Sequence, residues 1–121
     1  MTNLTNMLYI IMEWKIQYYS EKVRYRIDQW PPGIRAYYAR ITEKMQIYGP
    51  NLGMPFTRSM GQGLFEIRAR GKEGIGRAFF CALVENEILI LHAFIKKSQK
   101  TPKNDLEIAR QRLKEVRDER T

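Results

Sequence analysis

Two neighbouring apolar runs constrain this chain most. They are Arg77–Glu85 and Ile88–Ile95, joined by the tight connection Glu85-Asn86-Glu87. Both runs are apolar on both faces, as central strands covered on both sides would be. A third run, Leu64–Arg70, precedes them and alternates. Phe65, Ile67 and Ala69 lie on one face, and Glu66, Arg68 and Arg70 on the other. The segment Gly71–Gly76 between them is rich in glycine and charge and reads as a turn. Connections this short favour strands that are neighbours, so the three runs predict one antiparallel meander.

The N-terminal half supplies different periods. Trp14, Ile16 and Tyr18 alternate with Lys15, Gln17 and Tyr19, which predicts a strand. Ser20 caps a short helix with Val23, Ile27 and Trp30 on one face. Pro31-Pro32-Gly33 stops it. A second helix carries Ile34, Tyr37, Tyr38, Ile41, Met45 and Tyr48 on one stripe, with Arg35, Arg40, Glu43 and Lys44 opposite, and ends at Gly49-Pro50. Residues Asn51–Gly63 show no period and read as a loop. After the basic linker Lys96–Lys103, Thr101-Pro102 starts a last helix with Leu106, Ala109, Leu113 and Val116 on one stripe and charges elsewhere, as on a solvated helix. The order strand, helix, helix, three strands, helix predicts an α+β domain. The 121 residues predict a single domain over 1–121. Residues 1–12 read as an N-terminal extension onto the first strand, or as sequence upstream of the natural core, since Met7 and Met12 are also candidate starts.

Charge narrows the partners. Lys and Arg number 21 against 13 Asp and Glu, a formal net charge of +8, which attracts polyanions. The one cysteine, Cys81, excludes an intrachain disulfide framework and a multi-cysteine zinc site, and the one histidine, His92, argues against a His-rich metal centre. The longest strongly apolar run, Met7–Met12, is far short of the roughly 20 residues that cross a bilayer. These features predict a cytoplasmic protein with no membrane partner, no metal and no cofactor.

The placement of the cations is more informative than their number. Arg68 and Arg70 share a strand face with Glu66, and Arg77 opens the next strand. Lys96 and Lys97 follow the third strand, whose alternation puts His92 and Lys96 on one face. If the strands are neighbours, these groups converge on one region of the sheet. Arg and Lys there suit a phosphodiester, because they donate hydrogen bonds to its oxygens and neutralise its charge. The plain alternative is scattered solvated charge, with Glu66 paired to a nearby Arg and His92 a structural residue of an apolar strand.

Such a set can cleave RNA without a metal. A base takes the ribose 2′-hydroxyl proton, the oxygen attacks phosphorus, cations hold the developing charge and an acid protonates the leaving 5′-oxygen. Glu66 or a desolvated Lys is a candidate base, and Lys97 or His92 a candidate acid.

Three stretches, Gly61-Gln-Gly-Leu-Phe-Glu-Ile-Arg68, Gly76-Arg77 and Leu91-His-Ala-Phe-Ile-Lys-Lys-Ser-Gln-Lys-Thr-Pro102, resemble the HigB-like, phage-derived branch of the RelE/ParE toxin superfamily. The resemblance runs from about Glu13 to Arg117. It implies a compact RelE-like fold, with an antiparallel sheet packed by two N-terminal helices and a C-terminal helix. It also implies a type II toxin, a metal-independent mRNA interferase that cuts mRNA on the ribosome. By position, Arg77 resembles the strand arginine at the scissile phosphate, Arg68 its basic neighbour, and Lys96 with Lys97 the basic pair after the last strand. Arg70, Lys100 and Lys103 extend that RNA-binding set. Glu66 stands where some RelE-type members carry Lys, and the last helix has no Tyr near its start.

The resemblance further implies a small helix-turn-helix, HigA-like antitoxin that covers the basic face. Two other readings stay open at this point. One is a ParE-like, non-nucleolytic inhibitor of DNA gyrase. The other is a nucleic-acid-binding module without catalysis.

Overall fold

The computed structural model describes residues 13–96 and 102–119. The readings placed on residues 1–12, on Lys97 and Lys100, and on Thr101 lie outside the described residues. The elements run β1 (Lys15–Tyr18), α1 (Glu21–Asp28), α2 (Pro32–Tyr48), β2 (Thr57–Gly61), β3 (Leu64–Gly71), β4 (Gly74–Leu83), β5 (Glu87–Lys96) and α3 (Lys103–Glu119). The strands form one sheet in the order β1-β5-β4-β3-β2. The fold is the expected α+β class, with a three-strand meander at its centre.

Two features of the sheet correct the sequence reading. First, Asn51–Gly63 is not all loop, because Thr57–Gly61 forms a strand paired antiparallel with β3. It is an edge strand held by backbone hydrogen bonds, so its polar side chains show no apolar alternation. Second, the sheet is mixed. The strand β1 pairs parallel with β5, from Lys15 opposite Glu87 to Tyr18 opposite Ile90. The helical crossover that follows β1 carries the chain to the opposite edge of the sheet, and the meander then returns it with β5 running alongside. The Lys15 amide donates to the Asn86 carbonyl at 2.9 Å, which fixes the register at the β4–β5 turn.

Each face of the sheet has its own helical cover. Ser20 caps α1, its Oγ accepting from the Val23 amide at 3.3 Å, and Val23, Ile27 and Trp30 are buried as the spacing predicts. On α2, Ile34, Tyr38, Ile41 and Met45 are buried and Tyr37 is half-buried. Tyr48 does not join that stripe; it is exposed at the last position of α2. These helices pack on Ile67, Ala69, Ala78, Phe80, Ile88, Ile90 and Ala93. On the other face, Ala109, Leu113 and Val116 of α3 pack on Leu64, Phe79, Cys81, Leu89 and Leu91. The double cover explains why β4 and β5 carry apolar residues at nearly every position.

The arginines of α3 are not simply solvated. Arg110 donates to the Met60 carbonyl at 2.7 Å and Arg117 to the Gln62 carbonyl at 2.9 Å, so both hold the β2–β3 hairpin turn. A bulge in β5 supplies the third anchor. Phe79 pairs with His92 and Phe80 with Ile90, leaving Leu91 as the extra residue. The Leu91 carbonyl is turned out of the ladder and accepts from Arg112 at 2.7 Å.

Candidate functional site

The strand register brings the predicted cations together. Across β3, β4 and β5, one row reads Glu66, Phe79, His92, the next Arg68, Arg77, Phe94, and the next Arg70, Ile75, Lys96. Strand alternation puts all nine on the face that α3 partly covers. The bulge at Leu91 keeps His92 and Lys96 on this face, as the sequence reading requires. The apolar cover by α3 lies over Leu64, Phe79 and Cys81. Arg68, Ile75, Phe94 and Lys96 are partly exposed, and Arg70 is exposed.

Glu66 is the centre of the cluster. It is wholly buried, and its carboxylate accepts hydrogen bonds from Arg58 and Arg77 and forms an ion pair with Arg68. Arg77 binds Oε2 through Nε and Nη2. Arg58 Nε reaches Oε1 at 3.1 Å and Arg68 Nη1 lies 3.5 Å from the same oxygen. Three cations around one anion leave two positive charges in excess. Arg77 is 1% exposed and its guanidinium also lies over Phe79 and Phe94, 5.7 and 5.5 Å from their ring centres. In this state Arg77 faces Glu66 rather than solvent. The groups that reach the surface are Arg58 and Arg68, with side chains 37% and 17% exposed.

Arg58 was invisible to sequence reasoning because it sits on the edge strand. It lies directly opposite Glu66 in the β2–β3 register. The only sequence signal for it is a lone Arg ahead of the Gly-rich turn, eight residues before Glu66.

His92 is buried beside the cluster, its ring stacked against Phe94 with centroids 5.9 Å apart. Its Nε2 lies 2.7 Å from Asp105 Oδ1 in the first turn of α3. A carboxylate only accepts, so Nε2 carries the hydrogen and Nδ1 is left with its lone pair. Nδ1 is buried and has no hydrogen-bond partner among the described residues. Burial holds the imidazole below its ordinary titration range, although the Asp105 carboxylate draws it upward. Asp105 is the second residue the sequence reading missed, since its role depends on where α3 docks.

Lys103 opens α3 and is exposed. Among the described residues, no group of three or more His, Cys, Asp and Glu is arranged to hold a metal ion. No helix among them is long and apolar enough to cross a membrane. The arrangement is suited to holding a phosphodiester on guanidinium groups beside an oriented imidazole.

A sheet of this order with helices on both faces is the RelE-like architecture. The chain superposes on the crystal structure of the archaeal RelE–RelB complex from Pyrococcus horikoshii OT3 with a TM-score of 0.52. The match covers 69% of this chain and 96% of that chain at 17% identity, so the likeness is one of fold. Residues 26–114 match the family described as "Phage derived protein Gp49-like (DUF891)". The chain therefore belongs to the Gp49-like family of phage-derived proteins. No curated protein matches it.

Proposed function

We propose that this chain is the toxin of a type II toxin–antitoxin pair and acts as a metal-independent mRNA interferase on the ribosome. One observation carries the reading. Arg58, Arg68 and Arg77, drawn from three strands, share a single carboxylate on one face of the sheet. The Gp49-like membership and the RelE-like fold support it.

In this reading Arg68 and Arg58 receive the scissile phosphate, and Arg77 backs them with a fixed positive charge. Arg70 and Lys96, on the next row, hold the flanking backbone, and Lys100 and Lys103 extend that hold. Both oxygens of Glu66 already accept from guanidinium groups, so His92 is the better placed base. Its Nδ1 is buried in the free protein, so RNA binding must first displace the covering Phe94 ring; Nδ1 then takes the 2′-hydroxyl proton while Asp105 steadies Nε2–H. The 2′-oxygen bonds to phosphorus, the bond from phosphorus to the 5′-oxygen breaks, and Lys97 gives that oxygen its proton. Charge stabilisation by the arginines is the largest contribution, about 2 to 4 kcal/mol for each good donor.

The similar archaeal protein was crystallised as a RelE–RelB complex. We read an antitoxin partner for this chain as well, of the HigA-like helix-turn-helix type, with a segment that neutralises the basic face. The ribosomal target places the protein in the cytoplasm.

The test is expression with and without the neighbouring gene, combined with mapping of mRNA 5′ ends. The reading predicts growth arrest, new 5′ ends within coding regions, and loss of both in Arg68→Ala. Intact mRNA with damaged DNA would instead favour the gyrase-directed alternative.

A further inference from the structure

The cation cluster continues around the β3 edge into a second feature that the cleavage chemistry does not use. Beyond Ile67 the edge of β3 is no longer paired with β2. There a cleft of about 120 Å³ is lined by Tyr37, Pro55, Arg68, Arg70 and Ile75. Tyr37 also walls a second cleft of about 270 Å³, between α2 and the lead-in to β2, completed by Arg40, Ile41, Lys44 and Phe56. Among the described residues, no carboxylate lines either cleft.

The second cleft combines two half-buried aromatic rings with two exposed cations. Tyr37 and Phe56 lie with their centroids 6.3 Å apart and their planes tilted by 38°. The Arg40 guanidinium stands 6.0 Å from the Tyr37 ring centre, and the Lys44 ammonium 4.7 Å from that of Phe56. The aromatic walls are held in place. Phe56 donates its amide to the Gly53 carbonyl at 3.1 Å, and its own carbonyl accepts from the Arg68 amide at 2.9 Å. Buried Thr57 accepts from the Gly53 amide at 2.9 Å. The cations, in contrast, lie on an exposed helix face and rest against the rings.

From this geometry we infer that the cleft between α2 and β2 is a nucleotide subsite for single-stranded RNA, next to the site of cleavage. A nucleobase stacks on Tyr37 and Phe56. Arg40 and Lys44 move from the rings to its phosphate, a stronger partner than a ring face. Arg70 spans the step to the scissile phosphate at Arg68. The shared wall at Tyr37 makes the two clefts one track. Stacking plus backbone charge is how single strands are held with little sequence preference. The inference rests on the proposed RNA cleavage for its substrate.

The test measures fluorescence anisotropy of a labelled single-stranded RNA, made uncleavable by 2′-deoxy substitution, and of a dinucleotide covering only the cleaved step. The double variant Arg40→Glu, Lys44→Glu should bind the longer RNA about tenfold more weakly and the dinucleotide unchanged. The slope of log affinity against log salt should become shallower by roughly 0.7 for each phosphate the variant no longer neutralises. Tyr37→Leu, which keeps an apolar side chain but removes the stacking face, should weaken the longer RNA as well and serves if charge reversal disturbs the helix. Unchanged affinity in either folded variant overturns the inference. So does a loss confined to binding of the antitoxin, which would assign the cleft to a protein. RNA binding that follows these variants, together with intact mRNA in the expression test, would sink the proposed activity and keep the subsite. A wild-type chain that binds no free RNA overturns the subsite and leaves the ribosomal activity to the expression test.

Discussion

Arg68 stands directly opposite Arg77 across β3 and β4, and the carboxylate of Glu66 holds these two like charges together. Like charges paired across strands are destabilising, so the arrangement depends on its buried anion. The anion costs desolvation, which the surrounding guanidinium groups offset. The result is a preorganised patch of excess positive charge within a rigid sheet, which is what stabilising a developing phosphorane charge needs.

Glu66→Gln should therefore be severely destabilising. It strands buried Arg77 without a counter-charge, for about 3 to 5 kcal/mol. Arg58→Ala removes a surface-exposed member and should cost under about 1 kcal/mol. Urea unfolding of both variants at constant m-value checks the contrast. Equal shifts would mean that Glu66 is not the keystone of the cluster.

Arg68→Ala separates function from folding. It removes one partly exposed donor and leaves the Glu66–Arg77 pair intact, so stability should change by less than about 1 kcal/mol. Cleavage should fall roughly a hundredfold to a thousandfold. A folded variant with full activity would move the phosphate site elsewhere.

His92 gives a pH signature. Its folded titration point is depressed below the unfolded value of about 6.5. The unfolded chain thus binds more protons in the window between the two. The stability this confers is present above the unfolded value and is lost as pH falls through the folded one. Thermal midpoints measured down this range should fall more steeply in the wild type than in His92→Gln. Asp105→Asn removes the group that draws the imidazole upward, so its decline should continue to lower pH. Parallel curves for all three proteins would show that the buried pair does not titrate with folding.

Gly71 tests the packing of the sheet on α2. A Cβ there would lie 2.6 Å from the Ile34 amide nitrogen and 2.8 Å from the Gly33 carbonyl carbon. These are backbone atoms and cannot swing aside. Gly71→Ala should cost roughly 1 to 3 kcal/mol, read as a lowered thermal midpoint. A neutral outcome would mean that α2 does not sit as closely on β3 as described.

How much of this was legible depended on whether a residue's role was set by its own strand. The faces of β3, β4 and β5 were readable, because period two fixes which side chains share a face. Hence Glu66, Arg68, Arg77, His92 and Lys96 came together as the alternation required. The strand β2 was not readable, since an edge strand is held by its backbone and carries polar side chains. Arg58 was lost with it. Parallel pairing of β1 with β5 joins segments from opposite ends of the fold, and no local pattern records it. Arg110, Arg112 and Arg117 looked like solvated helix charges, because their partners belong to the β2–β3 hairpin and a bulge, and Asp105 gave no signal because its partner His92 lies on β5. The partnering of Glu66 by Arg68 and Arg77 was among the alternatives the residues offered. That all three guanidinium groups share one carboxylate emerges only from the register.

The chemistry of the cut ends decides whether the arginine cluster cleaves RNA. Ribosomes programmed with one mRNA are incubated with the purified chain, and the ends of any fragments are analysed. Attack by the 2′-oxygen predicts 2′,3′-cyclic phosphate and 5′-hydroxyl ends, lost in Arg68→Ala and blocked by a 2′-deoxy nucleotide at the cleaved position. Intact mRNA, or cleavage that persists through a 2′-deoxy linkage, would contradict it.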